Sequence, residues 1–179
     1  MTPTIRPATP ADAAAIAAVY RPYVTDTVIS FETEPPDADE IARRMAAPPL
    51  LPWLVAERAG AVTGYAYASA HRARAAYRWS ADVSVYLEPG ERGRGTGRAL
   101  YARLVEILRE LGYVGAYAGV TLPNPASVGL HEAMGFRPVG VYRGVGHKFG
   151  RWYDVGWWQL PLADPPPDDP AEPRPWAPG

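Results

Sequence analysis

The chain has 179 residues, of which 47% are hydrophobic and 21% charged, and its formal net charge is −1. This length suits one domain that buries a core, and the near-neutral charge predicts neither a nucleic-acid partner nor a membrane partner. Cysteine is absent, which excludes disulfides, thiolate metal sites and cysteine nucleophiles. Because the three histidines His71, His131 and His147 are scattered, we expect no metal. No signal-like N-terminus and no apolar run of about 18 residues is present, so we expect a cytoplasmic protein.

In the first half of the chain, two helices precede a strand meander. Thr9 and Pro10 predict the start of a helix, with Pro22 near its end, and Asp37 begins a second helix that continues to Pro48. Alternating apolar residues predict a β-hairpin and a third strand that pairs with it. The three predicted strands cover residues 53–57, 61–68 and 77–87.

In the second half, helices alternate with strands. Helices are predicted at residues 99–108, followed by a C-terminal Gly112, and at 125–134; strands are predicted at 113–122, 136–142 and 155–162. Seven of the last 17 residues are proline, so we expect residues 163–179 to form an extended or disordered tail beyond a domain of residues 1–162. Antiparallel hairpins combined with strand–helix units indicate a mixed α+β domain.

Residues 92–97, Arg-Gly-Arg-Gly-Thr-Gly, form a glycine loop between a predicted strand and a predicted helix. Such a loop suits phosphate, because glycine lets backbone N–H groups approach the ligand and a helix N-terminus carries partial positive charge. The P-loop pattern fails, since Gly97 is followed by Arg98 and Ala99, and the dinucleotide fingerprint fails because its third glycine comes one place early. An R-x-x-G-x-G pattern remains. A plain surface turn is the alternative in a chain rich in glycine and arginine.

Several segments resemble one family. Residues 92–97 resemble the pyrophosphate loop of the GNAT N-acetyltransferases, and Asn124, Ser127 and residues 130–136 resemble a second GNAT signature. Five further segments resemble the phosphinothricin and methionine sulfoximine N-acetyltransferases within that family: residues 31–35, 52–57, 72–79, 84–86 and 148–160. The resemblance covers the chain from about Ile5 to Leu162.

The resemblance implies a GNAT-like fold, with a central, mostly antiparallel mixed sheet that contains a splayed strand pair and is flanked by helices. It also implies acetyl-CoA as co-substrate. Backbone groups of the strand before the loop would hold the pantetheine, and the loop amides would hold the pyrophosphate. The cofactor-binding residues expected on this basis are Val85, Tyr86, Leu87, Arg92, Gly93, Arg94, Gly95, Thr96, Gly97, Arg98, Asn124 and Ser127.

Two residues are candidates for proton transfer. Asp82 aligns with a glutamate base of the phosphinothricin enzymes, and because Asp is one methylene shorter, a bridging water is an alternative to direct contact. A carboxylate that only caps the turn before the strand is the other interpretation. His131 aligns with the position of a tyrosine that protonates the departing thiolate in many GNAT proteins; it can donate a proton or simply pack on its helix.

The acceptor site is expected around a loop that carries Arg72 and Arg74, since a guanidinium matches a carboxylate or phosphinate. A solvated surface loop is the alternative. The resemblance adds Phe31, Tyr77 and Ser84 to the substrate site, and a homodimer to the assembly. Trp152, Trp157 and Trp158 are expected to be core or interface aromatics.

The sequence therefore predicts an acetyl-CoA-dependent enzyme that acetylates the α-amino group of a small amino-acid-like acceptor such as phosphinothricin, methionine sulfoximine or methionine sulfone. Another amine, such as an antibiotic or a protein N-terminus, is one alternative. A non-catalytic acyl-CoA-binding module is the other, because Asp82 departs from the glutamate of the resembling enzymes.

Overall fold

A computed structural model describes residues 3–178, and these form a mixed α/β domain. Seven strands lie in the described part of the chain: β1 (Thr4–Pro7), β2 (Trp53–Arg58), β3 (Ala61–Ala70), β4 (Ser80–Leu87), β5 (Gly115–Leu122), β6 (Arg137–Lys148) and β7 (Arg151–Pro161). Four α-helices accompany them: α1 (Ala13–Thr25), α2 (Ala38–Met45), α3 (Thr96–Leu111) and α4 (Pro125–Ala133).

The seven strands form one sheet in the order β1-β2-β3-β4-β5-β7-β6. Every neighbouring pair is antiparallel except β4 and β5, which are parallel. This parallel pair is short, because only residues 80–82 of β4 face residues 115–117 of β5. Beyond Asp82 the two strands part, which confirms the splayed strand pair and the mostly antiparallel mixed sheet.

Each face of the sheet buries its own apolar cluster. Leu54 and Val55, adjacent on β2, belong to opposite clusters, as the two-residue alternation of a strand requires. On one face α3 presents Leu100, Leu104 and Leu108 at helical spacing, and the alanines of the central strands let this helix approach closely. Helices α1 and α2 cover the other face. The sheet is thus held rigidly at the point where β4 and β5 separate.

Some boundaries differ from the prediction. Strand β1 was not predicted, and Tyr77, expected in a strand, lies in a 3₁₀ turn over Ala75–Tyr77. Thr96 and Gly97, expected in the loop, form the first turn of α3. Strands β6 and β7 are longer than expected because they continue to a tight turn at Phe149 and Gly150, which both have positive φ.

The proline-rich tail lies along the domain as an extended chain without helix or strand over residues 163–178. Its backbone donates hydrogen bonds from Arg174 to Leu111 O (2.8 Å) and from Trp176 to Leu50 O (2.9 Å). Glu172 pairs with Arg78 at 2.7 Å. Within residues 3–178, no helix is both long and apolar enough to cross a membrane.

Candidate active site

The glycine loop has the backbone geometry of an anion site. Gly93 and Gly95 have φ of +75° and +82°, and a Cβ at either position would meet nothing within 4 Å. Glycine is therefore required there by the left-handed backbone and not by lack of space. Helix α3 starts at Thr96, directly after Gly95, so its first N–H groups lack partners inside the helix and face the loop.

Glu91 ties this loop to the domain. Its side chain is almost fully buried and accepts hydrogen bonds from Arg58 Nε (2.7 Å) and Nη2 (3.0 Å). It also accepts a 2.6 Å bond from the hydroxyl of Thr96, at the start of α3. The hydrogen bonds from Arg58 and Thr96 lower the pKa of Glu91 to about 2. The carboxylate therefore stays charged and holds both ends of the loop together.

A groove of about 400 Å³ runs from this loop to the N-terminus of α4. Gly97 lies in the groove wall, where a Cβ would come within 3.3 Å of Leu130 and 3.4 Å of Leu87, so glycine also keeps the groove open. The groove combines apolar surface with guanidinium groups. Its lining includes Tyr23, Ile29, Val85, Leu87, Arg92, Gly93, Gly95, Gly97, Arg98, Asn124, Ser127 and Leu130.

The open edge of β4 offers fewer free backbone groups than expected. The Tyr23 hydroxyl donates to Leu87 O (2.5 Å) and accepts from Leu87 N (3.2 Å). In a strand, the N–H and C=O of every second residue point to the same edge. Val85 therefore presents its N–H and C=O to the same edge of β4 as Leu87, whereas those of Tyr86 point toward β3. Of the three residues expected to bind pantetheine through the backbone, Val85 is thus the one whose groups remain open within residues 3–178.

Asn124 and Ser127 lie in the same groove as the glycine loop. The Asn124 side chain caps α4 by accepting a 3.2 Å bond from Ser127 N. His131, one turn further along α4, is 3% exposed; its Nδ1–H donates to Ser127 O (2.7 Å) and its Nε2 accepts from the Tyr101 hydroxyl (3.0 Å). Burial lowers the pKa of His131, so the ring is neutral and both its nitrogens are occupied. This geometry favours the packing role of His131, and its role as an acid stays a prediction.

Asp82 is the last residue of β4 that pairs with β5, and the two strands part beyond it. Its Oδ1 lies 2.6 Å from Nδ1 of His71, a residue that the sequence did not single out. Burial raises the pKa of Asp82, and the hydrogen bond from His71 opposes this shift. The His71 ring stacks on Tyr117 at 4.5 Å between centroids and meets Tyr77 edge-on at 5.9 Å. The carboxylate is therefore part of an aromatic pocket and does not merely cap a turn.

The arginine loop borders this pocket. Arg72 lies with its guanidinium 5.5 Å from the Trp157 ring and donates to His71 O. Arg74 is exposed and begins the 3₁₀ turn that carries Tyr77. Arg72, Tyr77 and Asp82 thus come together around His71, while the Arg74 side chain points into solvent.

Ser84 and Phe31 lie on other segments than the arginine loop. Ser84 is two residues beyond Asp82 and lines the cleft between β4 and β5. Phe31 packs against β6, where a Cβ on Gly146 would collide with its ring at 2.0 Å. The predicted acceptor residues are therefore distributed over three chain segments, at residue 31, residues 72–77 and residue 84.

The three tryptophans of β7 differ in their environments. Trp158 is buried in the core and Trp152 is exposed. Trp157, expected in the core or an interface, contacts His71 edge-on at 5.8 Å, and its buried Nε1–H has no hydrogen-bond partner among residues 3–178.

The sequence carried one signal that could have identified His71 as a neighbour of Asp82. His71 comes just after β3, and Ser69 near the end of β3 faces Asp82 on β4.

Comparisons with known proteins agree with this geometry. Residues 5–157 match the family model of the acetyltransferase (GNAT) domain. The chain is 39% identical over 170 residues to phosphinothricin N-acetyltransferase of Streptomyces viridochromogenes, and the alignment covers 94% of this chain and 93% of that protein. It is 38% identical over 161 residues to an L-methionine sulfoximine/L-methionine sulfone acetyltransferase of Salmonella typhimurium, covering 89% and 94%. The crystal structure of a GNAT superfamily phosphinothricin acetyltransferase from Sinorhizobium meliloti in complex with AcCoA superimposes with a TM-score of 0.90, at 40% identity and coverages of 96% and 95%.

Proposed function

The chain belongs to the GNAT family of acetyltransferases and is an acetyl-CoA-dependent N-acetyltransferase, and we propose that its acceptor is the α-amino group of a small anionic amino acid analogue. The observation that carries this proposal is the junction at which β4 and β5 part. On one side it opens to the anion-binding groove, and on the other to the pocket of Asp82, His71 and Arg72. Phosphinothricin, methionine sulfoximine and methionine sulfone are the acceptors that fit best.

The groove fits the co-substrate by the chemistry of its donors. The backbone amides of Gly93 and of residues 95–98 suit a pyrophosphate, whereas the Arg94 amide donates to Glu91 O (3.4 Å). The guanidinium groups of Arg92, Arg94 and Arg98 add positive charge. The open N–H and C=O of Val85 suit the amides of the pantetheine, with Asn124 and Ser127 opposite. No metal is required by this arrangement, since the backbone and arginines together balance the phosphate charge.

Charge complementarity supports an amino acid as acceptor. A free α-ammonium is attracted by the Asp82 carboxylate, while the acidic end of the same molecule is attracted by Arg72, with Arg74 at the entrance. Tyr77 beside His71 and Ser84 in the cleft add to this site, and the resemblance of residues 31–35 adds Phe31. A polyamine fits this site poorly, because the same arginines repel its second ammonium.

The proposed chemistry is direct attack of the amine with help from a base. The acceptor must lose a proton before its nitrogen can attack, and the Asp82 pocket supplies the negative charge that accepts it. Negative charge then develops on the carbonyl oxygen and the sulfur at the N-terminal end of α4, where backbone donors stabilise it. Protonation of the sulfur by His131 is kept as the alternative to a packing role, which the engagement of both its ring nitrogens favours.

We infer a homodimer from the exposed face of β6, an edge strand. Val139, Val141 and Val145 are 41% to 58% exposed there. An edge strand with this much exposed apolar surface is suited to pack against a second copy of the chain. The proposal places the enzyme in the cytoplasm, where acetyl-CoA is present, without a nucleic-acid or membrane partner. Acetylation of a toxic amino acid analogue there would give resistance to it.

The test is a panel of acceptors with acetyl-CoA, in which thiol release is measured. We expect turnover with phosphinothricin, methionine sulfoximine and methionine sulfone. The methyl ester of methionine sulfone should show at least a tenfold higher KM than the free acid, because the ester lacks the charge that Arg72 attracts. Equal KM values for acid and ester would contradict the acceptor site proposed here.

Two other results would support the alternatives. Turnover only with an antibiotic amine or a peptide N-terminus would replace the acceptor class while retaining acetyl transfer. Saturable binding of acetyl-CoA without turnover on any amine would indicate the non-catalytic acyl-CoA-binding module.

A further inference from the structure

His71 lies beside Asp82, at the junction where β4 and β5 part. It follows the last residue of β3, and its backbone N–H is directed at Ser80 O (3.4 Å), at the start of β4. The ring is held flat by stacking on Tyr117 and by edge contacts to Tyr77 and Trp157. Its side chain is 14% exposed, so it is accessible to a small molecule but has little freedom to rotate.

The contact to Asp82 determines which ring nitrogen is free. Nδ1 lies 2.6 Å from Asp82 Oδ1, so in the neutral ring Nδ1 carries the hydrogen and donates it to the carboxylate. The opposite nitrogen, Nε2, then carries a lone pair. Among the residues that the structure describes, the ring makes no hydrogen bond other than that to Asp82. A carboxylate that orients an imidazole in this way is the arrangement of a general base and its orienting partner.

Asp82 is not free to act alone, because one of its two oxygens is engaged by His71. His71 extends the reach of the carboxylate by the width of an imidazole ring, which compensates for a side chain one methylene shorter than glutamate. The other titratable or charged groups that face the ring are Arg72 on its own loop, Tyr77 on the 3₁₀ turn and Tyr117 on β5.

We propose that His71 Nε2 is the catalytic base of the acetyl transfer and that Asp82 is its positioning residue. This inference rests on the proposed function and replaces direct or water-mediated action of Asp82 with action through His71. The ring contacts of His71 with Tyr117, Tyr77 and Trp157 restrict its rotation and so keep Nδ1 on Asp82.

The proton steps balance. The acceptor enters as an ammonium, and Nε2 takes one proton from it and releases that proton to solvent. The freed lone pair forms the nitrogen–carbon bond to the thioester carbonyl, and the carbon–sulfur bond breaks with its electron pair on sulfur. Nε2 takes the second excess proton from the nitrogen and passes it to the thiolate. The products are the amide, the thiol and one proton in solution. At each protonated stage the imidazolium lies beside the Asp82 carboxylate, which stabilises it.

Two substitutions at His71 separate catalysis from packing. His71→Phe keeps an aromatic ring against Tyr117 and Trp157 but removes both nitrogens, and we expect kcat to fall about a hundredfold with little change in the KM for acetyl-CoA. The kcat of His71→Ala should fall by a similar factor, and part of it should return in proportion to the concentration of added imidazole. Retention of most of the wild-type kcat by His71→Phe would overturn the proposal.

Asp82→Asn is the matched control for the rescue. Its imidazole is still present but no longer oriented by a carboxylate, so kcat should fall and added imidazole should not restore it. Recovery of Asp82→Asn to the same extent as His71→Ala would show that the carboxylate, and not His71, is the base.

A second readout uses the protein without substrates. Nitrogen-15 NMR of the His71 ring at slightly alkaline pH should show the Nδ1–H form in the wild type and a mixture of both tautomers in Asp82→Asn. An Nε2–H form in the wild type would overturn the proposal, since that nitrogen could not accept a proton. Wild-type protein that acetylates no amine overturns the function and the base together, whereas normal turnover by His71→Phe overturns the base alone.

Discussion

His131 and His71 differ in how many of their ring nitrogens are engaged in hydrogen bonds. His131 uses both: it donates from Nδ1 to Ser127 O and accepts at Nε2 from the Tyr101 hydroxyl. His71 uses only Nδ1, on Asp82. The same residue type therefore acts as a structural link in α4 and as the proposed base beside β4. Neither difference is visible in the sequence, because it depends on which partners the fold brings to each ring.

At the residue scale, His131→Leu tests the packing role. The change removes the hydrogen bonds of His131 with the Tyr101 hydroxyl and with Ser127 O, so we expect the free energy of unfolding to fall by about 1–3 kcal/mol. We expect kcat to fall less than tenfold. Urea unfolding and steady-state kinetics measure the two effects. Tyr101→Phe is the control, because it removes one bond of the same network and leaves the imidazole in place. A hundredfold loss of kcat in His131→Leu at unchanged stability would instead support His131 as the acid.

At the element scale, the glycine loop was predictable because its determinants are local. Left-handed glycines and a helix N-terminus directly after them are features of neighbouring residues. The tie that holds the loop was not predictable, since Arg58 is 33 residues away from Glu91. Likewise Tyr23 reaches Leu87 across 64 residues and occupies backbone groups that seemed free for pantetheine.

The hydrogen bonds that Glu91 accepts from Arg58 and Thr96 make the stability of the protein sensitive to acid. The pKa of Glu91 is lowered from an ordinary 4.5 to about 2, so the folded state binds this proton less readily than the unfolded state does. Its contribution to stability is therefore fully present above about pH 4.5 and is lost as pH falls from there toward 2. Urea unfolding at a series of pH values should show a shallower loss of stability in Glu91→Gln than in wild type over this window.

Glu88→Gln is the control for this effect, because Glu88 is an exposed carboxylate in the same turn. It should leave the pH dependence of stability unchanged. An identical slope in wild type and Glu91→Gln between pH 4.5 and 2 would contradict the tie.

At the scale of the whole molecule, the site exists because one parallel pair interrupts an otherwise antiparallel sheet. Residues 80–82 and 115–117 join the two halves, and the strands diverge beyond them. The divergence creates a cleft that shares Val85, Asn124 and Ser127 with the phosphate groove. Asp82 and His71 lie at the junction where this divergence begins. The long β6–β7 hairpin extends from this sheet and carries the apolar face assigned to the dimer.

Val141→Asp tests the dimer. The new carboxylate lies at the centre of the exposed apolar face of β6, where burial in an interface would cost several kcal/mol, so we expect dissociation to monomers. Sedimentation velocity measures the change. Ala14→Asp places the same charge on an exposed position of α1 and should leave the dimer intact. A monomeric wild type would contradict the proposal.

The sequence by itself determined the family, the glycine loop before α3, the Asn124–Ser127 start of α4 and the candidate Asp82, because these depend on residues close together in the chain. It also indicated the mixed sheet with a splayed pair. Only the tertiary structure decided which groups face the cleft. His71 meets Asp82 because β3 and β4 pair in one particular register. Trp157 contacts His71, and Arg58 contacts Glu91, across 33 or more residues of sequence. The physical reason is that a short-range pattern specifies backbone conformation, whereas the partner of a buried charge or ring is specified by packing.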